Sequence, residues 1–340
     1  MKYQTFGRSG LRVSELFLGT MTFGEAWGWG APIDECRKIL NAYVEAGGNV
    51  IDTANQYTEG ASEQIIGELL GRDRDRFVLS TKYTVSVDPT DPNASGNHRK
   101  SLQRSLERSL TQLKTDRIDL LWVHIWDALT PIEETMRGLD DAVRAGKVLY
   151  VGVSDAPAWV VSRANMLAEL RGWSPFIGLQ VPYSLVQREI ERELLPMADE
   201  LALSIAAWSP LAGGRLTGKF TREGDGGPSR VARGDVSERD LSIARHVDAV
   251  ADELGVTSSQ VALAWTMTSR PSIHPIIGAR RLDQLHDNLA AAELNLPEEA
   301  VRRLDEASAI ELGFPLDFID ATRNFVYGAA GERATRGVRA

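Results

Sequence analysis

The chain repeats one pattern: a short apolar run, a polar or glycine-bearing loop, and a longer stretch with apolar residues at helical spacing. Short apolar runs bounded by turn residues are typical of buried strands, and apolar residues at i, i+3, i+4 and i+7 indicate amphipathic helices. The predicted strands are 16–18, 50–51, 77–79, 118–123, 150–153, 176–179, 205–207 and 273–277. Helices are predicted over 34–45, 99–113, 131–145, 158–170, 189–201, 238–254, 258–268 and 282–293.

The alternation of strands and helices predicts parallel neighbouring strands joined by right-handed crossovers. Eight such units are what a (β/α)8 barrel requires. The alternative is an open doubly wound sheet, which in a dinucleotide-binding enzyme carries G-x-G-x-x-G after its first strand. Because that motif is absent from the sequence, we predict the barrel.

Segments at both ends of the chain and one internal loop extend beyond a minimal barrel. Residues 3–6 and 11–13 alternate apolar and polar around a Gly-bearing turn, which predicts a β-hairpin. Ala212 to Val236 is rich in glycine and charge and too long for an ordinary connection, so we expect a loop that closes over a bound cofactor. Nothing resembles a linker between domains. The predicted single domain, 1–340, comprises the hairpin 1–15, the barrel 16–295, which contains the long loop 212–236, and an extra helix and tail over 296–340. Two extra helices are predicted in all.

Composition and charge narrow the function classes. The 38 Lys and Arg residues against 47 Asp and Glu give a net charge of −9, which argues against nucleic acid or an anionic membrane surface as partner. The single cysteine, Cys36, cannot form an internal disulfide and suits a reducing compartment. No stretch approaches the ~18 apolar residues of a membrane helix, and residues 1–4 open no signal peptide. We therefore expect a cytoplasmic protein, with its oligomeric state left open.

Four ionisable residues stand at or just beyond predicted strand ends, where the chemistry of such barrels lies. They are Asp52, Tyr57, Lys82 and His124. A lysine ammonium favours the phenolate of a neighbouring tyrosine and so lowers the tyrosine pKa from about 10, and an aspartate would keep the lysine charged. A neutral imidazole can donate a hydrogen bond to a carbonyl oxygen as charge develops on it. The set suits carbonyl reduction without a metal, with the hydride supplied by an organic cofactor.

Taken singly, each of these residues has an ordinary structural interpretation. A strand-end aspartate commonly caps a helix, a lone lysine is commonly a solvated surface charge, and a tyrosine or histidine commonly packs. These interpretations weaken together, because all four residues must then fall on one face of one barrel by chance. From the residues alone, both interpretations remain open.

Seven motifs, in order along the chain, resemble the aldo-keto reductase superfamily, and the resemblance extends from Phe17 to about Phe318. It implies the barrel fold and the NADPH-dependent reduction of an aldehyde or ketone to an alcohol. The motifs are FLGTM at 17–21, NVIDTANQY at 49–57, STK at 80–82, DLLWVH at 119–124, YVGVS at 150–154, LQVPYS at 179–184 and WSPL at 208–211.

The resemblance also implies residue roles. Tyr57 would be the general acid, Lys82 and Asp52 would tune it, and His124 would orient the carbonyl. Asp155 departs from the family, which usually has Asn there, and a carboxylate can accept but not donate a hydrogen bond. The implied cofactor-binding residues are Gly19, Thr20, Met21, Asp52, Ser154, Gln180, Tyr183, Trp208, Ser209, Pro210, Leu211, Gly213, Lys219, Gly278, Arg280, Gln284 and Asn288.

Within that set, the resemblance assigns each part of the cofactor. Ser154 and Gln180 would bind the nicotinamide carboxamide, and Tyr183 would stack on the ring. Trp208 to Leu211, with Gly213 and Lys219, would hold the pyrophosphate. Arg280 is the candidate for the 2′-phosphate, since a guanidinium matches phosphate in a bidentate way, so NADP is expected in preference to NAD.

Tryptophans flank the expected mouth of the site. Trp27 and Trp29 lie in the loop after the first barrel strand, and Trp126 follows His124 by two. With Tyr57 and His124 they would form an aromatic wall for a small carbonyl substrate, although loop packing explains each tryptophan equally well. Two other functions remain open: a cofactor-sensing subunit of a membrane channel, which the lack of any obvious docking feature disfavours, and a reductase dedicated to a keto-sugar or natural-product ketone.

Overall fold

A computed structural model describes residues 1–222, 231–268 and 272–328. At its start, β1 (Tyr3–Thr5) pairs antiparallel with β2 (Arg12–Ser14), which confirms the predicted hairpin. Phe6 follows β1 and is fully buried, with its ring 5.8 Å from that of Phe17 and 6.3 Å from that of Trp122. The hairpin therefore closes the end of the fold at which the barrel strands begin.

The eight predicted barrel strands are all present and close on themselves. The last strand pairs in parallel with both its predecessor and the first barrel strand, so the sheet has no free edge. This confirms the (β/α)8 barrel. The strands are β3 (Phe17–Gly19), β4 (Val50–Asp52), β5 (Val78–Tyr83), β6 (Ile118–Val123), β7 (Val148–Ser154), β8 (Phe176–Pro182), β9 (Ser204–Trp208) and β10 (Ile273–Gly278).

Helices surround the barrel, and none in the described part of the chain is both long and apolar enough to cross a membrane. Four of the described helices exceed the minimal barrel, one before α8 and three after α9, where the sequence predicted two. The helices are α1 (Ile33–Glu45), α2 (Ala61–Leu70), α3 (Arg99–Gln112), α4 (Ile132–Arg144), α5 (Ala158–Arg171), α6 (Leu194–Leu201), α7 (Glu238–Leu254), α8 (Ser258–Thr268), α9 (Leu282–Ala290), α10 (Glu298–Ala307), α11 (Leu316–Ala321) and α12 (Arg323–Tyr327).

Several helices differ from the sequence prediction. Helix α2 was not predicted, although Ile66 and Leu70 at i, i+4 supply its buried face. The helix predicted over 189–201 is shorter, because residues 189–191 form a 3-10 turn and α6 begins only at Leu194. Of the predicted long loop, residues 223–230 lie outside the described part of the chain, as do residues 329–340 of the tail.

The core has two layers, one inside the barrel and one between strands and helices. Trp122 on β6 fills the inner layer beside glycines of the two next strands. A Cβ at Gly152 would lie 2.4 Å from the Trp122 ring, and one at Gly178 would lie 2.4 Å from Phe6. These glycines make room for large aromatic side chains at the closed end, and the carboxyl end of the barrel is left open to a cavity.

Candidate active site

The four candidate catalytic residues meet at the carboxyl end of the barrel. Asp52 ends β4, Lys82 lies in β5, and His124 directly follows β6. Tyr57 lies in a short 3-10 turn after β4. Because adjacent parallel strands end on the same side, three strand ends and one turn bring these side chains together.

Lys82 is the centre of the cluster. Its Nζ lies 2.6 Å from Asp52 Oδ2, 2.8 Å from the backbone oxygen of Thr53 and 3.2 Å from Tyr57 Oη. The lysine side chain is fully buried. Burial alone would lower the pKa of Lys82, but the charges and hydrogen bonds of Asp52 and Tyr57 raise it above its ordinary value. Lys82 is therefore an ammonium at neutral pH, and it donates to the phenol oxygen.

The expected lowering of the Tyr57 pKa is not what the structure gives. Burial raises the pKa of Tyr57, and although Lys82 opposes this, the net direction is upward, with Asp52 adding to the rise. The sequence argument considered the ammonium and not the loss of solvent around the phenol. The result is a Tyr57 hydroxyl that keeps its proton at neutral pH.

His124 lies across the cluster from Lys82, and its ring centroid is 6.0 Å from that of Tyr57 in an edge-on arrangement. Burial, followed by the positive charge of Lys82, lowers the pKa of His124 to about 3. The imidazole is therefore neutral. Its Nδ1 is buried and has no partner among the described residues.

Asp52 is held on both oxygens. Its Oδ2 accepts from Lys82, while its Oδ1 accepts from Ser80 Oγ at 2.7 Å and from Gln180 Nε2 at 3.0 Å. Gln180 thus ties β8 to β4, and Ser80 does the same for β5. This network fixes the carboxylate, and through it the position of the ammonium beside the tyrosine.

A cavity of about 740 Å³ extends from this cluster along the carboxyl ends of the strands. Its volume is typical of a site for an extended small molecule. Its wall includes these predicted residues: Gly19, Met21, Asp52, Tyr57, His124, Ser154, Gln180, Trp208, Ser209, Pro210, Leu211, Gly213, Lys219, Gly278, Arg280, Gln284 and Asn288. It also includes Ala279, Arg281, Asp283 and Asp287, from the stretch 278–288 that is expected at the adenosine end. The other residues of the wall, to which the sequence argument gave no contact, are Thr22, Gln56, Asp155, Gly214, Thr217, Ser259, Leu263, Ile276 and Ile277.

Three cations lie at the far end of this cavity. Lys219 follows β9, and Arg280 and Arg281 follow β10. Burial, followed by the charges of Arg280 and Arg281, lowers the pKa of Lys219. Gln284, in the first turn of α9, accepts a hydrogen bond from the Arg280 backbone N–H at 3.0 Å. Arg281 pairs with Asp283 at 2.8 Å, and all three cations line this end of the cavity.

Two predicted cofactor contacts are not part of the cavity wall. Thr20 is fully buried, and its hydroxyl donates to the Asp52 backbone oxygen at 2.9 Å. Tyr183 is also buried: its hydroxyl donates to Glu191 at 2.8 Å, and its ring lies 5.3 Å from that of Trp265. The stacking role expected for Tyr183 stays a prediction that this geometry does not support, because its ring packs on α8 and is not part of the cavity wall. Among the residues predicted to bind the cofactor, the aromatic side chain in the wall is Trp208.

The tryptophans proposed for the substrate differ in their placement. The Trp27 ring lies 6.5 Å from that of Tyr57 and 5.7 Å from that of Trp29, so these two extend the catalytic cluster outward. Trp126 packs edge-on against Trp159 at 5.7 Å and is not part of the cavity wall. Trp27 and Trp29 are not part of the cavity wall either, so their link to the site is the contact of Trp27 with Tyr57.

The model of the Aldo/keto reductase family matches residues 15–309 of this sequence. The norsolorinic acid reductase of Aspergillus flavus is 40% identical over 92% of this chain and 82% of its own length. An aryl-alcohol dehydrogenase, GME11368, of Pestalotiopsis microspora is 39% identical over 91% and 82%, and the aryl-alcohol dehydrogenase [NADP(+)] of Phanerodontia chrysosporium is 37% identical over 95% and 90%.

Fold and comparisons together define the class, an oxidoreductase that acts on carbonyl groups. The chain belongs to the aldo-keto reductase family, whose members generally use nicotinamide cofactors.

Proposed function

We propose that this protein reduces aldehydes or ketones to alcohols with NADPH and that Tyr57 is the proton donor. The observation that carries the proposal is the contact of Lys82 Nζ with both Asp52 and Tyr57 Oη at the wall of the cavity. A buried ammonium beside a protonated phenol stabilises the phenolate that remains when the proton leaves. Asp52 keeps the ammonium charged and in place.

His124 is proposed as the group that holds the substrate carbonyl. A neutral imidazole donates one ring N–H, and charge develops on the carbonyl oxygen during reduction. Tyr57, whose ring lies edge-on to that of His124, then protonates the oxygen. The low pKa of His124 keeps the imidazole neutral across the physiological range.

The cavity fits a dinucleotide cofactor, whose role when bound is to supply the hydride that the carbonyl carbon gains. Ser154 and Gln180 line the catalytic end, where they would hold the nicotinamide carboxamide. Trp208 is the aromatic side chain that the wall presents to a nicotinamide ring, in place of Tyr183. The loop from Ser209 to Lys219 would hold the pyrophosphate.

The phosphate-bearing cofactor is proposed because of the three cations at the far end. Arg280 would pair with the 2′-phosphate, with Lys219 nearby, and a bound phosphate would relieve the repulsion that lowers the Lys219 pKa. Gln284 and Asn288 lie in α9 four residues apart, on the face turned to the cavity, and would contact the adenine.

For the substrate we propose an aromatic aldehyde or ketone. Trp27 and Trp29 pack together beside Tyr57, where a flat ring could lie against them. Two of the relatives are named for aryl alcohols, which agrees with an aromatic substrate.

The test is loss of NADPH absorbance when the purified protein is given a simple aromatic aldehyde. Tyr57→Phe should lose almost all turnover, on the order of 10²–10⁴-fold for removal of a general acid, while cofactor affinity stays near that of the wild type. Fluorescence titration with NADPH measures that affinity. Near-normal turnover of Tyr57→Phe would show that the proton comes from another group.

A further inference from the structure

A second carboxylate, that of Asp155, faces the catalytic end of the cavity. It directly follows Ser154 at the end of β7 and is part of the cavity wall. Its backbone has a φ of 44°, the left-handed region that aspartate tolerates better than most residues. The proposed reaction gives this side chain no role.

Asp155 is fixed by contacts from three directions. Its N–H donates to the Gln180 backbone oxygen at 3.3 Å, and its own backbone oxygen accepts from the Trp126 N–H at 3.3 Å. Its Oδ1 accepts from the Trp208 indole N–H at 3.1 Å. The carboxylate is therefore held beside the aromatic ring that we propose for the nicotinamide.

The charges around Asp155 do not cancel its own. Asp52 and Lys82 neutralise each other as a buried pair at 2.6 Å, and His124 is neutral. Burial raises the pKa of Asp155, while the Trp208 hydrogen bond and the Lys82 charge oppose the rise. With Asp155 ionised, the described residues at this end of the cavity carry one net negative charge.

A nicotinamide ring carries a positive charge only in its oxidised form. On the basis of the proposed cofactor, we propose that Asp155 determines redox-state specificity: its carboxylate strengthens binding of NADP⁺ relative to NADPH. A unit charge near the ring in a partly desolvated cavity changes the relative affinity by on the order of tenfold.

The test is the ratio of the NADPH and NADP⁺ dissociation constants, measured by calorimetry or by quenching of tryptophan fluorescence. Asp155→Asn keeps the size and the acceptor for Trp208 while removing the charge. We expect the affinity for NADP⁺ to fall about tenfold relative to the affinity for NADPH.

A control variant separates the charge beside the ring from the charge of the cavity as a whole. Asp283→Asn removes a carboxylate from the same cavity at its far end, beside Arg281. Whatever this variant does to the two affinities, it should leave their ratio within about twofold of the wild-type ratio, since the charge beside the ring remains.

An unchanged ratio in Asp155→Asn, with both cofactors still bound, would overturn this inference and leave the proposed function standing. An equal loss of both affinities would reduce Asp155 to a positioning residue and would also overturn it. A wild-type protein that bound neither cofactor would overturn the proposed function, and this inference with it.

Discussion

Replacement of Lys82 by methionine tests the centre of the site. Methionine keeps the length and apolar stem of the side chain but has no ammonium. Asp52 would remain buried at 2% exposure with only Ser80 and Gln180 as donors to its Oδ1. Tyr57 would lose the cation at 3.2 Å. The variant therefore leaves the buried Asp52 carboxylate without a counter-ion. It also removes the cation that stabilises the phenolate of Tyr57.

The stability loss can be worked from these contacts. Removal of one partner from a buried ion pair costs about 3–5 kcal/mol, most of it from the charge left behind. The unfolding entropy of 340 residues is on the order of 0.7 kcal/mol/K. We therefore expect Lys82→Met to lower the melting temperature by about 4–7 °C.

The double variant Asp52→Asn, Lys82→Met is the matched control. It removes the stranded charge, while the oxygen of the introduced amide can still accept from Ser80, so most of the lost melting temperature should return. Reductase activity should stay lost in both variants, because neither has the ammonium. Calorimetric melting and NADPH oxidation, with the Asp52→Asn single variant completing the cycle, measure the two effects separately.

Two results would refute this reasoning. If Lys82→Met melted within about 1 °C of the wild type, the pair would not carry the energy assigned to a buried ion pair. If the double variant melted as low as Lys82→Met, the loss would come from packing at position 82, and not from the unpaired carboxylate.

Three further outcomes are expected. Arg280→Ala should weaken NADPH binding at least tenfold, on the order of one lost phosphate pair, while NADH binding changes little. Arg281→Ala should change the cofactor preference less, because the Arg281 guanidinium already pairs with a carboxylate. The dissociation constants of both cofactors measure this. His274 is fully buried, and burial lowers its pKa to about 4. As the pH falls from 6.5 towards 4, the unfolded chain therefore binds a proton at this histidine before the folded protein does, and the free energy of unfolding should fall by up to about 3 kcal/mol. Chemical denaturation of His274→Leu over this range should show a weaker dependence of that free energy on pH. Gly7→Ala places a Cβ 1.9 Å from a β8 carbonyl oxygen at a φ of +56° and should cost about 3–5 kcal/mol, whereas Gly10→Ala, which meets nothing within 4 Å, should melt near the wild type.

The sequence by itself determined the barrel and which candidate catalytic side chains would cluster at its carboxyl end. Each strand showed as a local apolar run, and the closure of β10 onto β3 follows from their number. Asp52, Lys82 and His124 could be placed because parallel strands of one barrel end on the same side. Both inferences need only local pattern and a general rule of topology.

Other features were decided only by the tertiary structure. Tyr183 and Trp208 both stand at strand ends, and only the packing of Tyr183 on Trp265 showed that Trp208 is the ring in the cavity. Likewise, the sequence predicts a lysine near Tyr57. It does not show that the phenol loses its contact with solvent, which raises the pKa of Tyr57. Ring direction and desolvation depend on every neighbour in space, and those neighbours come from distant parts of the chain.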